Sequence, residues 1–195
     1  LEVDVGRVGT IPVDRHRDVE RITARKRSRG KPDVGARLGE HDLVYAGAYN
    51  VTDSLPGIDV NVGKLILSPT RTYAPVMVRV LEKFRKEIHG LVHCSGGGQT
   101  KVLHFIDNLH VIKDNLFEIP PLFSLIQEQS GTDWKEMYKV FNMGHRMELY
   151  VSPEIAERII EISKSFNVDA RIIGRVEANS GKKLTIKSSY GEFTY

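Results

Sequence analysis

The chain has 195 residues, of which 41% are hydrophobic, 27% charged and 8% aromatic, a composition typical of ordinary globular proteins. The single cysteine excludes a disulfide-rich scaffold and any multi-cysteine zinc or iron–sulfur site, and no apolar run approaches the roughly 20 residues that a bilayer span needs, so we expect a cytoplasmic protein without membrane contact. The net charge of +3 arises in residues 1–40, which contain 10 Lys and Arg against 7 Asp and Glu, whereas residues 41–195 contain 18 of each.

Residues 1–40 are rich in arginine and have no apolar periodicity. Five of the nine residues from Arg21 to Arg29 are basic, and glycine and proline follow them. Charged blocks without an apolar face usually stay solvated, so this segment predicts an irregular arm. An arm that binds nucleic acid is the alternative.

A domain is predicted over residues 41–195, where strand and helix patterns alternate. A long apolar stripe with a spacing of three and four residues predicts a helix over residues 72–88, with Thr70 or Thr72 as its cap. In chain order, the predicted strands are 42–45, 64–67, 90–94, 109–113, 146–151, 171–177 and 183–189, and the other predicted helices are 99–106, 120–129, 133–141 and 153–166. The turn Asn179-Ser180-Gly181 predicts that the last two strands form a hairpin.

The most informative string is His93-Cys94-Ser95-Gly96-Gly97-Gly98-Gln99-Thr100-Lys101. Three glycines between an apolar strand and a helix allow a sharp turn and a close approach of a ligand to backbone N–H groups, which favour an anion such as phosphate. The spacing of a Walker loop is absent. A tight structural turn explains the glycines equally well.

Two other segments carry polar groups. Phe141-Asn142-Met143-Gly144-His145-Arg146 joins a helix to a strand, and a helix-ending turn is its simpler interpretation. Arg71 precedes the long helix and has the planar donor fork that suits phosphate. The seven histidines show no spacing typical of a metal site, so none is expected, and Cys94 fits a packing role.

These strings occur in an order that resembles one family, the phosphoribosylformylglycinamidine cyclo-ligases or AIR synthetases, in its C-terminal half. The similarity covers residues 42–190 and depends on Leu67-Ser68-Pro69-Thr70-Arg71-Thr72-Tyr73, Gly90-Leu91-Val92-His93-Cys94-Ser95-Gly96-Gly97-Gly98, Pro120-Pro121-Leu122-Phe123 with Glu136-Met137-Tyr138, Phe141-Asn142-Met143-Gly144, and Ile173-Gly174-Arg175-Val176.

The resemblance implies an α+β domain with a mixed, largely antiparallel sheet and packed helices, preceded by the irregular arm. It also implies an ATP-dependent ring closure of formylglycinamidine ribonucleotide to aminoimidazole ribonucleotide, with magnesium and a homodimer. The residues it assigns to the cleft are His93 and Asn142 as catalytic candidates, and Arg71, Gly96, Gly97, Gly98, Thr100 and Gly144 around the phosphate-bearing ligand.

The sequence departs from the family in three places. Gln99-Thr100-Lys101-Val102 stands where members usually have Leu-Thr-Glu-Asn, and His145-Arg146 stands where small or apolar residues are common; both changes add positive charge. The N-terminal ATP and magnesium domain of the family has no counterpart here. We therefore expect a truncated chain, with a shifted reading frame as one origin of residues 1–40, and no activity from the chain alone.

Three alternatives remain. A related ATP enzyme of the selenophosphate synthetase or thiamine-phosphate kinase type would share the fold but not the substrate, although Phe141-Asn142-Met143-Gly144 counts against it. A nucleic-acid-binding module would depend on residues 1–40 and lose affinity steeply with salt. A dimerisation half without chemistry would bind no phosphate compound.

Overall fold

The computed structural model describes residues 2–5, for which it gives the backbone alone, and residues 48–68 and 71–195. These residues fall into two compact units. The sheet unit comprises residues 2–5, 71–119 and 134–195, and the small unit comprises residues 48–68 and 120–133.

Within the described residues, the sheet unit contains one seven-stranded sheet. Its strands are β1 (Glu2–Val5), β2 (Ile88–His93), β3 (Leu109–Lys113), β4 (Met147–Val151), β5 (Ala170–Ala178), β6 (Lys183–Ser188) and β7 (Gly191–Thr194). The spatial order is β2-β4-β1-β5-β3-β6-β7, and all neighbours are antiparallel except β3 and β6. The predicted mixed, largely antiparallel sheet is therefore confirmed.

Two amphipathic helices cover one face of this sheet. They are α2 (Ala74–Phe84) and α5 (Pro153–Ser165), and their apolar stripes supply Val80 and Ile159 to a fully buried cluster that includes Leu149 of β4. The helix predicted over residues 72–88 is confirmed in its central part. It begins after Tyr73, without a side-chain cap from Thr72, and ends at Phe84, because Ile88 already pairs with β4.

The opposite face of the sheet carries the 3₁₀ helix Gly98–His104. Side chains alternate along a strand, so Glu148 and Tyr150 point away from the face that Leu149 shares with the two helices. The helix predicted over residues 99–106 is confirmed, and it is of the 3₁₀ type. Thr100 bonds the carbonyl of Gly97 through its N–H at 3.0 Å and its hydroxyl at 2.9 Å, the three-residue spacing of a 3₁₀ turn.

The small unit contains α1 (Val62–Ile66) and α3 (Pro121–Ser130). The strand predicted at residues 64–67 is wrong, because the side chain of Asn61 accepts a hydrogen bond from the N–H of Lys64 at 2.9 Å and caps a short helix. Helix α3 confirms the prediction at residues 120–129, and Gly131 ends it in the left-handed conformation.

The remaining predictions have mixed outcomes. Helix α4 (Trp134–Val140) is confirmed, as are the strands at 90–94, 109–113 and 146–151. The terminal hairpin between residues 171–177 and 183–189 is wrong, since β3 lies between β5 and β6, and the hairpin at this end of the chain joins β6 to β7. Apart from β1, the arm over residues 1–40 and the strand at 42–45 lie outside the described residues.

No helix among the described residues is long and apolar enough to cross a bilayer.

We expect Gly174→Ala to destabilise the sheet unit strongly. A Cβ atom there would lie 1.9 Å from the carbonyl oxygen of Ile112 on β3, so two adjacent strands would have to separate. The free energy of unfolding, measured with urea, should fall by at least about 3 kcal/mol. Gly90→Ala is the matched strand control, because its Cβ would meet the side chain of Tyr150 at an ordinary 3.6 Å. Equal stability of the two variants would contradict this register.

Candidate functional site

The glycine loop, residues 94–98, leaves the end of β2 and leads into the 3₁₀ helix. The N–H of Ser95 bonds the carbonyl of His93 at 2.7 Å, and the N–H of Gly98 bonds the carbonyl of Ser95 at 3.1 Å. Gly97 and Gly98 have φ angles of 90° and 50°, a region that L side chains rarely adopt. The order of strand, glycine loop and helical turn predicted from the sequence is confirmed.

Gly97 and Gly98 have different surroundings. A Cβ atom on Gly98 would lie 2.3 Å from the carbonyl oxygen of Phe141, so this glycine lets the loop pack directly on the chain that follows α4. A Cβ atom on Gly97 would meet nothing nearer than Lys101, at 3.7 Å. Gly98 therefore serves the packing of the loop, whereas a Cβ atom at Gly97 would be in ordinary van der Waals contact with Lys101.

The Asn142 turn, residues 142–145, lies against the glycine loop. The side-chain amide of Asn142 donates to the carbonyl of Cys94 at 3.3 Å, and its oxygen accepts the N–H of Gly144 at 3.0 Å. Met143 and Gly144 have positive φ angles. The structure thus brings together two segments that lie more than 40 residues apart in the sequence and that sequence reasoning selected separately.

Polar side chains of the 3₁₀ helix border the loop. Lys101 donates to the hydroxyl of Ser95 at 2.5 Å, which places an ammonium group beside the glycines. Thr100 is half-buried and its hydroxyl donates to the loop backbone, whereas His93 is exposed at the end of β2. The positive charge that distinguishes this sequence at position 101 is therefore located at the loop.

A buried ion pair that the sequence analysis missed lies beneath the loop. Lys113 of β3 and Glu148 of β4 have fully buried side chains and form a salt bridge. Lys113 also donates to the backbone oxygen of Gln99 at 3.1 Å and to its side-chain oxygen at 3.0 Å. Gln99 donates in turn to the carbonyl of Asn142 at 2.6 Å, and Tyr150 donates to the second oxygen of Glu148 at 2.9 Å. The sequence signal was a charged residue within each of two apolar strands.

Arg71, a candidate for phosphate binding, lies at the end of α5. Its guanidinium donates to the backbone oxygens of Asn167 at 2.7 Å and Phe166 at 2.9 Å, just beyond the end of α5. Carbonyl groups at a helix C-terminus attract a cation, so this contact stabilises the end of α5 and orients the start of α2. The structure does not bring Arg71 into hydrogen-bond contact with the glycine loop.

His145 is a neutral buried group next to this site. Its Nε2 atom accepts a hydrogen bond from the N–H of Phe117 at 3.0 Å. Burial, and secondarily the charge of Lys113, lowers the pKa of His145 to about 3, because both disfavour a charged imidazole. The neighbouring Arg146 is also buried, with Nη1 3.5 Å from the hydroxyl of Tyr73.

Within residues 48–68 and 71–195, no group of three or more His, Cys, Asp or Glu side chains could hold a metal ion.

The glycine loop and the Asn142 turn both lie within the range that a known family matches. The model of the family described as "AIR synthase related protein, C-terminal domain" matches residues 38–187, a range that includes both the glycine loop and the Asn142 turn. The chain belongs to this family. The resemblance inferred from the sequence motifs is thereby confirmed.

Curated relatives of this family member have one common name. The chain is 37% identical over 168 residues to a phosphoribosylformylglycinamidine cyclo-ligase of Syntrophus aciditrophicus, which covers 82% of this chain and 46% of that protein. It is 35% identical over 155 residues to the protein of the same name from Methanopyrus kandleri, with 80% and 43% covered. The chain therefore spans about half the length of the relatives it matches.

A solved structure supports the fold alone. A chain in the crystal structure of a HypE–HypF complex superimposes with a TM-score of 0.52 at 21% identity, covering 99% of this chain and 51% of the other. Together with the observed sheet, this likeness confirms the α+β class.

The burial of His145 predicts a specific pH dependence of stability. The unfolded chain takes up a proton at this histidine near pH 6.5, whereas the folded chain does so only near pH 3. Stability is therefore lost as the pH falls through this window, by about 2 kcal/mol between pH 7 and pH 5. His145→Gln keeps an acceptor for Phe117. It should remove that part of the slope of the free energy of unfolding against pH, measured by urea unfolding at each pH. His104→Gln, at an exposed position, is the matched control for the loss of a histidine. An identical slope in the His145→Gln chain would contradict the assignment.

Proposed function

We propose that this chain forms the C-terminal half of an ATP-dependent cyclo-ligase that converts formylglycinamidine ribonucleotide to aminoimidazole ribonucleotide. The observation that carries the proposal is the hydrogen-bonded contact of the glycine loop with the Asn142 turn, two segments inside the family match. The names of the relatives favour this activity over a selenophosphate synthetase or thiamine-phosphate kinase activity. The nucleic-acid alternative concerns residues outside the described range.

The geometry of the glycine loop fits a phosphate-bearing ligand. A Cβ atom at Gly97 would clash with no neighbour, and the ammonium group of Lys101 is bonded to Ser95 in the same loop. Positive charge fixed in advance next to a transferring or departing phosphate stabilises the charge that develops there. In this proposal the loop and Lys101 hold the phosphate group, while Asn142 and Thr100 fix the shape of the loop through their own bonds to its backbone.

The proposed reaction has two steps. The amide oxygen of the substrate attacks the terminal phosphorus of ATP, and ADP leaves as its P–O bond breaks. A nitrogen of the substrate then attacks the activated carbon, the C–O bond breaks so that inorganic phosphate leaves, and the nitrogen loses a proton to solvent as the ring closes. The residues described here position the phosphate and balance its charge; Gly96 and Gly144 belong to this loop and turn, and exposed His93 lies at the edge of the same site.

In this proposal magnesium and ATP are bound mainly by the N-terminal half that the family resemblance implies, and residues 48–68 and 71–195 contain no group of three or more His, Cys, Asp or Glu side chains that could hold a metal ion. No step of this proposal therefore passes through a metal in this half. The homodimer and the cytoplasmic location implied by the family resemblance are further parts of the proposal, and light scattering of the purified chain tests the first of them.

A chimaera tests the proposed activity. Residues 48–195 replace the matching region of the Syntrophus cyclo-ligase, and formation of aminoimidazole ribonucleotide is followed by mass spectrometry. We expect product from the chimaera and none from this chain alone, because the relatives are about twice as long. A folded chimaera that forms no product would contradict the proposal, and product from the chain alone would refute the division of roles.

A larger side chain at Gly97 gives a second test. In the chimaera, Gly97→Val should lower kcat/KM by at least about 100-fold, equivalent to about 3 kcal/mol, because the new side chain fills the space proposed for phosphate. The control is Gly181→Val, since Gly181 has a similar φ of 86° and nothing within 4 Å of its Cβ position. Both variants should lose similar stability from backbone strain, on the order of 1–3 kcal/mol. Equal kcat/KM in the two variants would count against a ligand at the loop.

A further inference from the structure

We propose that Lys113 is a positioning residue: it holds the glycine loop, through Gln99, in the conformation that accepts the phosphate-bearing ligand. The inference rests on the proposed function for the identity of that ligand. The position of the loop itself depends only on contacts within the sheet unit.

Lys113 is hydrogen-bonded to the residue that directly follows the glycine loop. Its ammonium group has three N–H donors, and its acceptors include the carboxylate of Glu148 and two oxygens of Gln99. One of these oxygens belongs to the backbone that directly follows Gly98. A residue on a strand in the sheet interior therefore fixes the main chain at the point where the glycine loop becomes the 3₁₀ helix.

Gln99 extends this constraint to the second half of the site. Its side-chain oxygen accepts from Lys113, while its side-chain nitrogen donates to the backbone oxygen of Asn142 at 2.6 Å. Asn142 returns a hydrogen bond to the backbone of Cys94 at the start of the loop. The loop and the turn are thus joined at both ends, and Lys113 connects the pair to the sheet.

Stability alone is a weak reason for such an ion pair. Removing two charges from water is costly, and a buried pair can often be replaced by apolar residues of similar volume without loss of stability. In some proteins the main effect of a buried polar contact is to restrict the arrangement of the groups that it joins. Because two of the hydrogen bonds of Lys113 go to Gln99, directly after the loop, we infer that this pair specifies the conformation of the loop.

The test separates positioning from stability. Lys113→Met/Glu148→Leu removes both charges together, so that no unpaired charge stays buried. Gln99→Met removes the two side-chain bonds of Gln99, to Lys113 and to Asn142, while keeping the ion pair and the bond of Lys113 to the Gln99 backbone. The control is Arg79→Gln/Glu82→Gln, which removes an exposed ion pair of α2 at 3.3 Å. Amide hydrogen exchange is measured on the whole chain, and unfolding by urea is measured in parallel.

We expect the amides of residues 96–100 to exchange at least about 10-fold faster in the double variant and in Gln99→Met, while the amides of α5 keep their wild-type rates. In the chimaera, the same changes should raise KM for formylglycinamidine ribonucleotide about 10-fold, and the control should leave both quantities unchanged. Wild-type exchange at the loop in both variants would overturn the proposal. A double variant that fails to fold, together with wild-type exchange in Gln99→Met, would overturn it as well.

The two proposals can be disproved independently. If the wild-type chimaera forms no product, the proposed function is wrong, but the exchange experiment still shows whether Lys113 positions the loop. If the chimaera is active and the exchange rates are unaffected, the function holds and the positioning role is wrong.

Discussion

A charged lysine in a protein interior requires acceptors, and the way in which Lys113 obtains them organises the site. Glu148 of β4, which β1 and β5 separate from β3 in the sheet, provides one, and Gln99, directly after the glycine loop, provides two. Because an unsatisfied ammonium group would be very costly in this environment, the loop cannot move away without a replacement partner for Lys113. The sheet therefore determines where the loop lies, and Gln99 transmits the same constraint to the Asn142 turn.

The parts of the site that the sequence predicted are those with local causes. Gly97 and Gly98 mark a left-handed turn in any context, and a Pro-Pro start and a Gly131 stop define α3 from neighbouring residues alone. The family motifs added the expectation that the loop and the Asn142 turn belong together. The roles of His93, Thr100 and Gly96 toward a ligand stay predictions.

The parts that the sequence did not predict depend on contacts between distant segments. Lys113 follows four residues of a strand pattern and could as well end the strand in solvent; only its pairing with Gln99 and Glu148 explains its burial. The hairpin expected around Gly181 failed because β3, from 70 residues earlier, inserts between β5 and β6. The short apolar run after Asn61 fits a strand or a helix equally, and the cap decided for the helix.

Lys113 holds the glycine loop in its conformation before any ligand binds. A crystal structure of this chain, crystallised without ligand, is the measurement to make. We expect positive φ angles at Gly97 and Gly98, with Lys113 in hydrogen-bond contact with both oxygens of Gln99. If the loop had several conformations next to an intact Lys113–Glu148 pair, the pair would not position the loop.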